Sequence, residues 1–182
     1  MVSSTVAIAV LWGLLYNTQV GFLNYVLVRL GFDRVPWITS ETWAMPSVII
    51  MSVWKGLGYN MILFLAGLQS IPEEYYEAAS IDGAGAWRRF RDITLPLLSP
   101  TTFLVVVLSI ITSFQVFEQT YFLTGGGPSW STLTLVLMIF FRGFQDFRMG
   151  YASAIAYVLF AIVFVITLIQ WRLQRRWVHY EL

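Results

Sequence analysis

The stretch YASAIAYVLFAIVFVITLIQW, Tyr151 to Trp171, carries no charged side chain. The hydrocarbon core of a bilayer is roughly 30 Å thick and a helix rises about 1.5 Å per residue, so about 20 apolar residues suffice to cross it. Lipid offers the backbone no hydrogen-bond partners, so such a segment must satisfy its own N–H and C=O groups and is read as a helix. Working outward, Trp43 to Gln69 has one charge, Lys55, and Thr101 to Leu123 has one, Glu118. A fourth apolar stretch, Val2 to Leu15, is too short to cross. It has no basic leading region and no small-residue cleavage site, so it reads as the end of a longer span rather than a signal peptide. The fold class that follows is an all-α integral membrane bundle, with three full spans and a partial N-terminal one.

Composition excludes most other classes. Of the 182 residues, 58% are hydrophobic and 12% charged, against about 25% charged in a soluble domain, and mean hydropathy is +0.70. Eight Trp, nine Tyr and fourteen Phe supply amphipathic rings for the two membrane interfaces. A formal charge of +1 gives no basis for binding nucleic acid, and a lone His179 without cysteine offers no transition-metal site. No cofactor is expected. Neither a GxxxxGK[ST] phosphate loop nor a GxSxG elbow is present. If the protein moves a solute uphill, another subunit supplies the energy.

Orientation rests on arginines and parity. Arg88, Arg89 and Arg91 lie between the second and third long apolar segments, and Arg172, Arg175 and Arg176 follow the last; Arg29, Arg34, Arg142 and Arg148 lie in the other connections. The 70–100 loop and the C-terminal tail are therefore expected in the cytoplasm, and 124–150 outside. In that outer segment Gly125, Gly126, Gly127 and Pro128 predict a chain reversal. Leu133, Leu137, Phe140, Phe141 and Phe144 follow at helical spacing and predict an amphipathic helix at the outer interface.

The cytoplasmic connection reads SIPEEYYEAASIDGAGAWRRFRDITLPLLSP from Ser70 to Pro100. Ser70 and Glu73 are spaced as a capping box, with Pro72 in the first turn. A helix to Ile81 is expected, broken at Asp82 and Gly83. A second short helix starts near Ala84, with Trp87 and Phe90 on one face and Arg88, Arg89 and Arg91 elsewhere; Pro96 and Pro100 end it and open the next span. Ala78, Ala79, Gly83, Ala84 and Gly85 are small enough for another protein's backbone to come close.

Glu77-Ala78-Ala79, three residues, Gly83, nine residues, then Ile93-Thr94-Leu95-Pro96 resembles the EAA loop of membrane subunits in binding-protein-dependent ABC importers, the MetI-like permeases. LAGLQSIP before the loop, LTGGGP after it, and Gly21, Asn24 and Leu27 near the start resemble the carbohydrate-importing branch. The resemblance covers nearly the whole chain. It implies that Glu77, Ala78, Ala79, Asp82, Gly83, Ile93, Leu95 and Pro96 form the site coupling to a cytosolic ABC ATPase dimer. Glu77 would be the polar contact, Gly83 the turn, and Pro96 the point where the chain returns to the membrane. It further implies a second permease subunit, an extracytoplasmic solute-binding protein, and residence as a multi-pass protein in a bacterial or archaeal plasma membrane, with the C-terminus cytoplasmic. Such permeases have six or more spans, so a chain lacking about two at its N-terminus is expected to be truncated. The alternative for the loop is an amphipathic interfacial linker.

Polar residues inside spans face a bundle interior or an aqueous path. Ser52, Gly56 and Tyr59, with Asn60 beside them, mark one face of the second span; Ser109, Thr112, Ser113 and, more loosely, Gln115 mark a face of the third. A tyrosine ring among hydroxyls and amides suits a neutral sugar, whereas Ser, Thr and Gly also simply allow close helix packing. Lys55 lies near mid-span, where a charge is costly, and either snorkels or pairs with Glu118. A stand-alone secondary transporter or channel would show intramembrane acid pairs or inverted repeats, and a membrane-embedded enzyme a nucleophile with its base. The spans hold none of these.

Overall fold

A computed structural model describes residues 4–174. The start of the first apolar stretch at Val2, and Arg175, Arg176 and His179 with the placement of the C-terminal tail, lie outside the described residues. Every regular element among the described residues is helical. Two helices are long and apolar enough to cross a membrane, α3 (Glu41–Gln69) and α10 (Met149–Gln174). Residues Ala86–Leu97 and α7 (Ser99–Phe114) make a third such element if taken together, bent by 60°. The remaining elements are α1 (Thr5–Leu15), α2 (Phe22–Arg29), α4 (Glu73–Ile81), α5 (Ala86–Arg89), α6 (Leu95–Leu97), α8 (Glu118–Leu123) and α9 (Leu135–Phe140). Two π-helical turns, Phe90–Thr94 and Phe141–Gln145, complete the set.

The chain forms two compact units, whose boundaries fall inside α3, α7 and α10. The first holds residues up to Leu57 together with Ser113–Ala161. Its core gathers Ala9, Trp12, Tyr16, Val48, Met51 and Leu123, with Leu23, Trp37 and Val116 packed against it. An aromatic chain runs through this core, Trp54 to Trp12 to Tyr16 to Trp37 to Trp43, each step 5.2–5.6 Å between ring centroids. The Tyr16 hydroxyl donates to the Ser47 carbonyl at 2.8 Å, so the buried ring keeps its polar end satisfied.

Asn24 is the polar hub of this unit and is 1% exposed. Its amide nitrogen donates to the carbonyls of Thr18 (3.2 Å) and Val35 (2.9 Å). Its oxygen accepts from the Val35 N–H (3.0 Å) and the Trp37 indole (3.1 Å). One side chain thus fastens α2 to the segment leading into α3. Gly21 precedes it because a Cβ there would sit 2.3 Å from the Asn17 carbonyl oxygen.

Several expectations are corrected. The span expected over Thr101–Leu123 breaks at Gln115–Phe117, and Glu118 begins the separate helix α8. The break persists because the Val116 carbonyl, freed from the helix, accepts from the Thr134 hydroxyl at 2.8 Å. The outer helix is shorter than 131–150: Gly125 and Gly126 take positive φ as the reversal requires, and Thr134 caps α9 by accepting from the Leu137 N–H. Of its expected apolar face, Leu137 is buried and Phe144 exposed.

The capping box does not form. Pro72 is itself the N-cap of α4, and the Ser70 hydroxyl donates to the Gly67 carbonyl at 2.7 Å. A proline disfavours helical backbone in the residue before it, so the chain breaks at Ile71, and Ser70 remains with the end of α3, where it takes up one of the open carbonyls.

Candidate coupling loop and intramembrane polar residues

The second unit comprises Gly58–Thr112 and residues from Ile162 on. Within it, residues 70–100 form an elbow of two helical arms. Helix α4 ends in a Schellman turn: the Gly83 N–H donates to Ser80 O (3.1 Å) and the Ala84 N–H to Ala79 O (2.8 Å). That geometry needs a left-handed residue, and Gly83 takes φ +74°. Nothing lies within 4 Å of where its Cβ would be. The glycine answers to backbone conformation, and its surroundings leave it open to a partner.

The second arm runs α5, the Phe90–Thr94 π-turn, then α6. Pro96 does not end this arm, as the sequence led one to expect; it sits inside α6, and the bend comes at Leu98. A proline has no N–H, and its ring crowds the carbonyl one turn back. Widening the preceding turn, in which the Leu95 N–H bonds Phe90 O, gives the ring room while the path stays helical.

Two side-chain bonds hold the arms together. The Tyr76 and Thr94 hydroxyls lie 2.9 Å apart, and Arg89 donates to the Ser80 hydroxyl at 3.0 Å. Where the elbow joins the membrane helices, Ile71, Leu98 and Ser99 are buried. Gly67 faces Thr101 so closely that a Cβ there would fall 2.4 Å from the Thr101 hydroxyl.

The outward surface is amphipathic. Glu77, Ala78 and Asp82 are exposed, Ala79 and Ile93 half-buried, Leu95 exposed and Pro96 half-buried. Ile81 is 88% and Trp87 73% exposed, and the Trp87 and Phe90 rings meet at a tilt with centroids 5.7 Å apart. Acid side chains cluster on α4 (Glu73, Glu74, Glu77) and arginines on the second arm. Arg88 and Arg91 lie 3.7 and 3.4 Å from Asp92. Those pairs are exposed and contribute little to stability. The face therefore offers a hydrophobic centre with opposite charges on either side.

The intramembrane residues are less concerted. Ser52 donates to Val48 O and Thr112 to Leu108 O, both at 2.8 Å, so these hydroxyls serve their own helices. Gly56, half-buried Asn60 and partly exposed Tyr59 lie on α3, Ser109 and exposed Ser113 on α7, and Gln115 in the break that follows. Lys55 donates to the Thr5 hydroxyl on α1. It forms no ion pair with Glu118 among the described residues, whose ion pairs are Arg88–Asp92, Arg91–Asp92 and Arg142–Asp146. A hydroxyl oxygen therefore takes the place that the pairing alternative gave to the carboxylate. Asn24 was named for its resemblance alone; an amide among the apolar Phe22, Leu23, Tyr25 and Val26 of α2 was the available signal.

Comparison with known proteins identifies the group. The family model described as "binding-protein-dependent transport system inner membrane component" matches residues 1–179. A probable ABC transporter permease protein, YesP of Bacillus subtilis, is 41% identical over 100% of this chain and 59% of its own length. The sulfoquinovosyl glycerol transport system permease protein SmoG of Agrobacterium fabrum is 41% identical over 88% of this chain and 52% of its own. The crystal structure of a bacterial alginate ABC transporter, in complex with an alginate pentasaccharide-bound periplasmic protein, contains a chain that superposes with a TM-score of 0.85. That chain is 30% identical over 96% of this one and 61% of its own length. The chain thus spans between about half and three fifths of the relatives it matches. With apolar helices long enough to span, and a match along nearly all of its sequence, the chain belongs to the inner-membrane components of binding-protein-dependent transport systems, the MetI-like ABC permeases.

Proposed function

We propose that the chain acts as a transmembrane permease subunit of an ATP-driven importer for a sugar or related carbohydrate, its 70–100 elbow docking on a cytosolic ATPase dimer. The observation that carries the reading is the elbow itself: an ordered two-armed element, tied by the Tyr76–Thr94 and Ser80–Arg89 bonds, that presents Glu77, Ile81 and Trp87 outward. A floppy linker could not transmit a displacement. An element with fixed arms, joined to α3 and α7 at buried positions, transfers force from a docked subunit to the membrane helices. Glu77 makes the polar contact, Ala78, Ala79 and Gly83 permit close approach, and Ile93, Leu95 and Pro96 lead the second arm back to the membrane. Carbohydrate as cargo is supported by the names of two similar proteins, a sulfoquinovosyl glycerol permease and an alginate transporter. On this reading the chain catalyses nothing; ATP hydrolysis belongs to the docked subunit. A second permease completes the path, and an extracytoplasmic binding protein delivers the solute.

Purification of the tagged protein from native membranes, with mass-spectrometric identification of what accompanies it, tests the assembly. An ATPase and a second permease are expected, and Glu77→Lys should reduce both ATPase recovery and ATP-dependent uptake. Full coupled uptake by Glu77→Lys would remove the elbow from the mechanism.

A further inference from the structure

Helix α2 presents a face that none of the described residues covers. Leu23 packs toward the core and Asn24 is locked by its four hydrogen bonds, which fixes the rotation of the helix. Phe22, Tyr25 and Val28, at successive spacings of three, then turn outward, with Arg29 beside them. The chain leaving the helix continues this surface. Gly31 closes α2 with φ +85°, Phe32 N–H bonds Leu27 O at 2.9 Å, and Leu30 and Phe32 are left 67% and 63% exposed. An apolar surface of this size is not left in water without a partner.

The chemistry of the rim says what the partner is. Arg29 lies over the Tyr25 ring at 5.3 Å. Neither Arg29 nor Arg34 has a carboxylate within ion-pair distance among the described residues. The segment's one carboxylate, exposed Asp33, pairs with neither arginine, and two cations that outnumber it, bordering Phe, Tyr, Val and Leu, match a bilayer interface, where phosphates lie above acyl chains. Continuity supports this choice. Eleven residues separate α2 from α3, a helix long and apolar enough to cross a membrane, so α2 is tethered at the level where a membrane helix starts. At eight residues it is too short to span.

We infer that α2 and the residues to Arg34 form a membrane foot that dips Phe22, Tyr25, Val28, Leu30 and Phe32 into the bilayer interface, with Arg29 and Arg34 at the phosphates. Asn24 is then a positioning residue: it sets the angle at which the foot meets the lipid. The foot rests on the chain being a membrane protein and is independent of what the permease carries.

Because the sequence has no cysteine, single spin labels can be placed without removing native thiols. Tyr25→Cys, Val28→Cys and Phe32→Cys, each at an exposed position, would be labelled with a nitroxide. The protein, with its co-purifying subunits, would be reconstituted in vesicles of phosphatidylethanolamine and phosphatidylglycerol. Relaxation by oxygen several-fold above that by a water-soluble nickel chelate is expected at all three positions, at a depth of about 5–10 Å. Relaxation dominated by the nickel chelate would overturn the foot, leaving the face in water. Low access to both reagents would overturn it in favour of a protein partner. Neither readout needs ATP or transport, so failure of the importer reading leaves this result standing.

Discussion

The Tyr76 hydroxyl on the first arm of the elbow lies 2.9 Å from the Thr94 hydroxyl on the second, and Thr94 is buried. This bond joins residues eighteen apart in sequence across the Gly83 turn. It converts two short helices, each marginal alone, into one unit.

Removing it should loosen the arms without disturbing either helix. Tyr76→Phe is expected to cost about 1 kcal/mol, and Thr94→Val a similar amount. Measured by reversible unfolding in detergent, the double variant should cost clearly less than the sum of the singles, because both report one bond. Additive losses would show that the two hydroxyls are energetically independent.

Gly83 separates two reasons for a glycine. Alanine at φ +74° is expected to destabilise the turn by about 1–2 kcal/mol, although nothing in the chain would touch its Cβ. Asparagine tolerates left-handed backbone far better. If conformation alone matters, Gly83→Asn should retain most of the uptake that Gly83→Ala loses. Equal loss in both would mean that a docked subunit needs the space itself.

How far the sequence reveals this architecture depends on where each cause lies. The spans and the Gly83 turn were legible because their causes are local: apolar run length, and a glycine after a helix. The Gln115–Phe117 break was not. No glycine or proline marks it, and what sustains it is Thr134, eighteen residues further on, accepting the role of partner to the Val116 carbonyl. The partner of Lys55 was not legible for the same reason, since Thr5 lies fifty residues away and carries no charge to draw attention. The elbow was legible in outline through its motif, whereas the π-turn before Pro96 was not, because a proline in a sequence looks like a stop unless the turn ahead of it widens.

Asn24 should be among the most sensitive positions. Asn24→Ala removes four hydrogen bonds at a site 1% exposed. It leaves the Val35 N–H and the Trp37 indole without partners, each costing about 1–3 kcal/mol where water cannot enter, while the Val35 carbonyl keeps its bond from the Trp37 N–H. A loss of several kcal/mol is expected, visible as lower yield of folded protein and a lower midpoint in thermal unfolding. Asn24→Asp keeps the acceptor but sets a carboxylate oxygen against the Thr18 and Val35 carbonyls at a buried site, and should cost at least as much. A thermal midpoint unchanged in Asn24→Ala would mean that water replaces the amide.

Gly67 and Thr101 test whether the elbow is held tightly at its root. A Cβ at Gly67 would sit 2.4 Å from the Thr101 hydroxyl and 2.9 Å from its methyl group. Gly67→Ala must therefore push the start of α7 away from the end of α3, an overpacking expected to cost about 1–3 kcal/mol. Thr101→Ala removes both clashing atoms and leaves only the Thr101 Cβ, at 3.0 Å. The double variant should thus regain most of the stability lost in Gly67→Ala. If the root also transmits motion from the docked subunit, uptake should fall in Gly67→Ala and return with the second substitution, while ATPase recovery on purification stays constant throughout. Stability restored without uptake would make this contact a matter of packing, and would place the transmission of force elsewhere in the elbow.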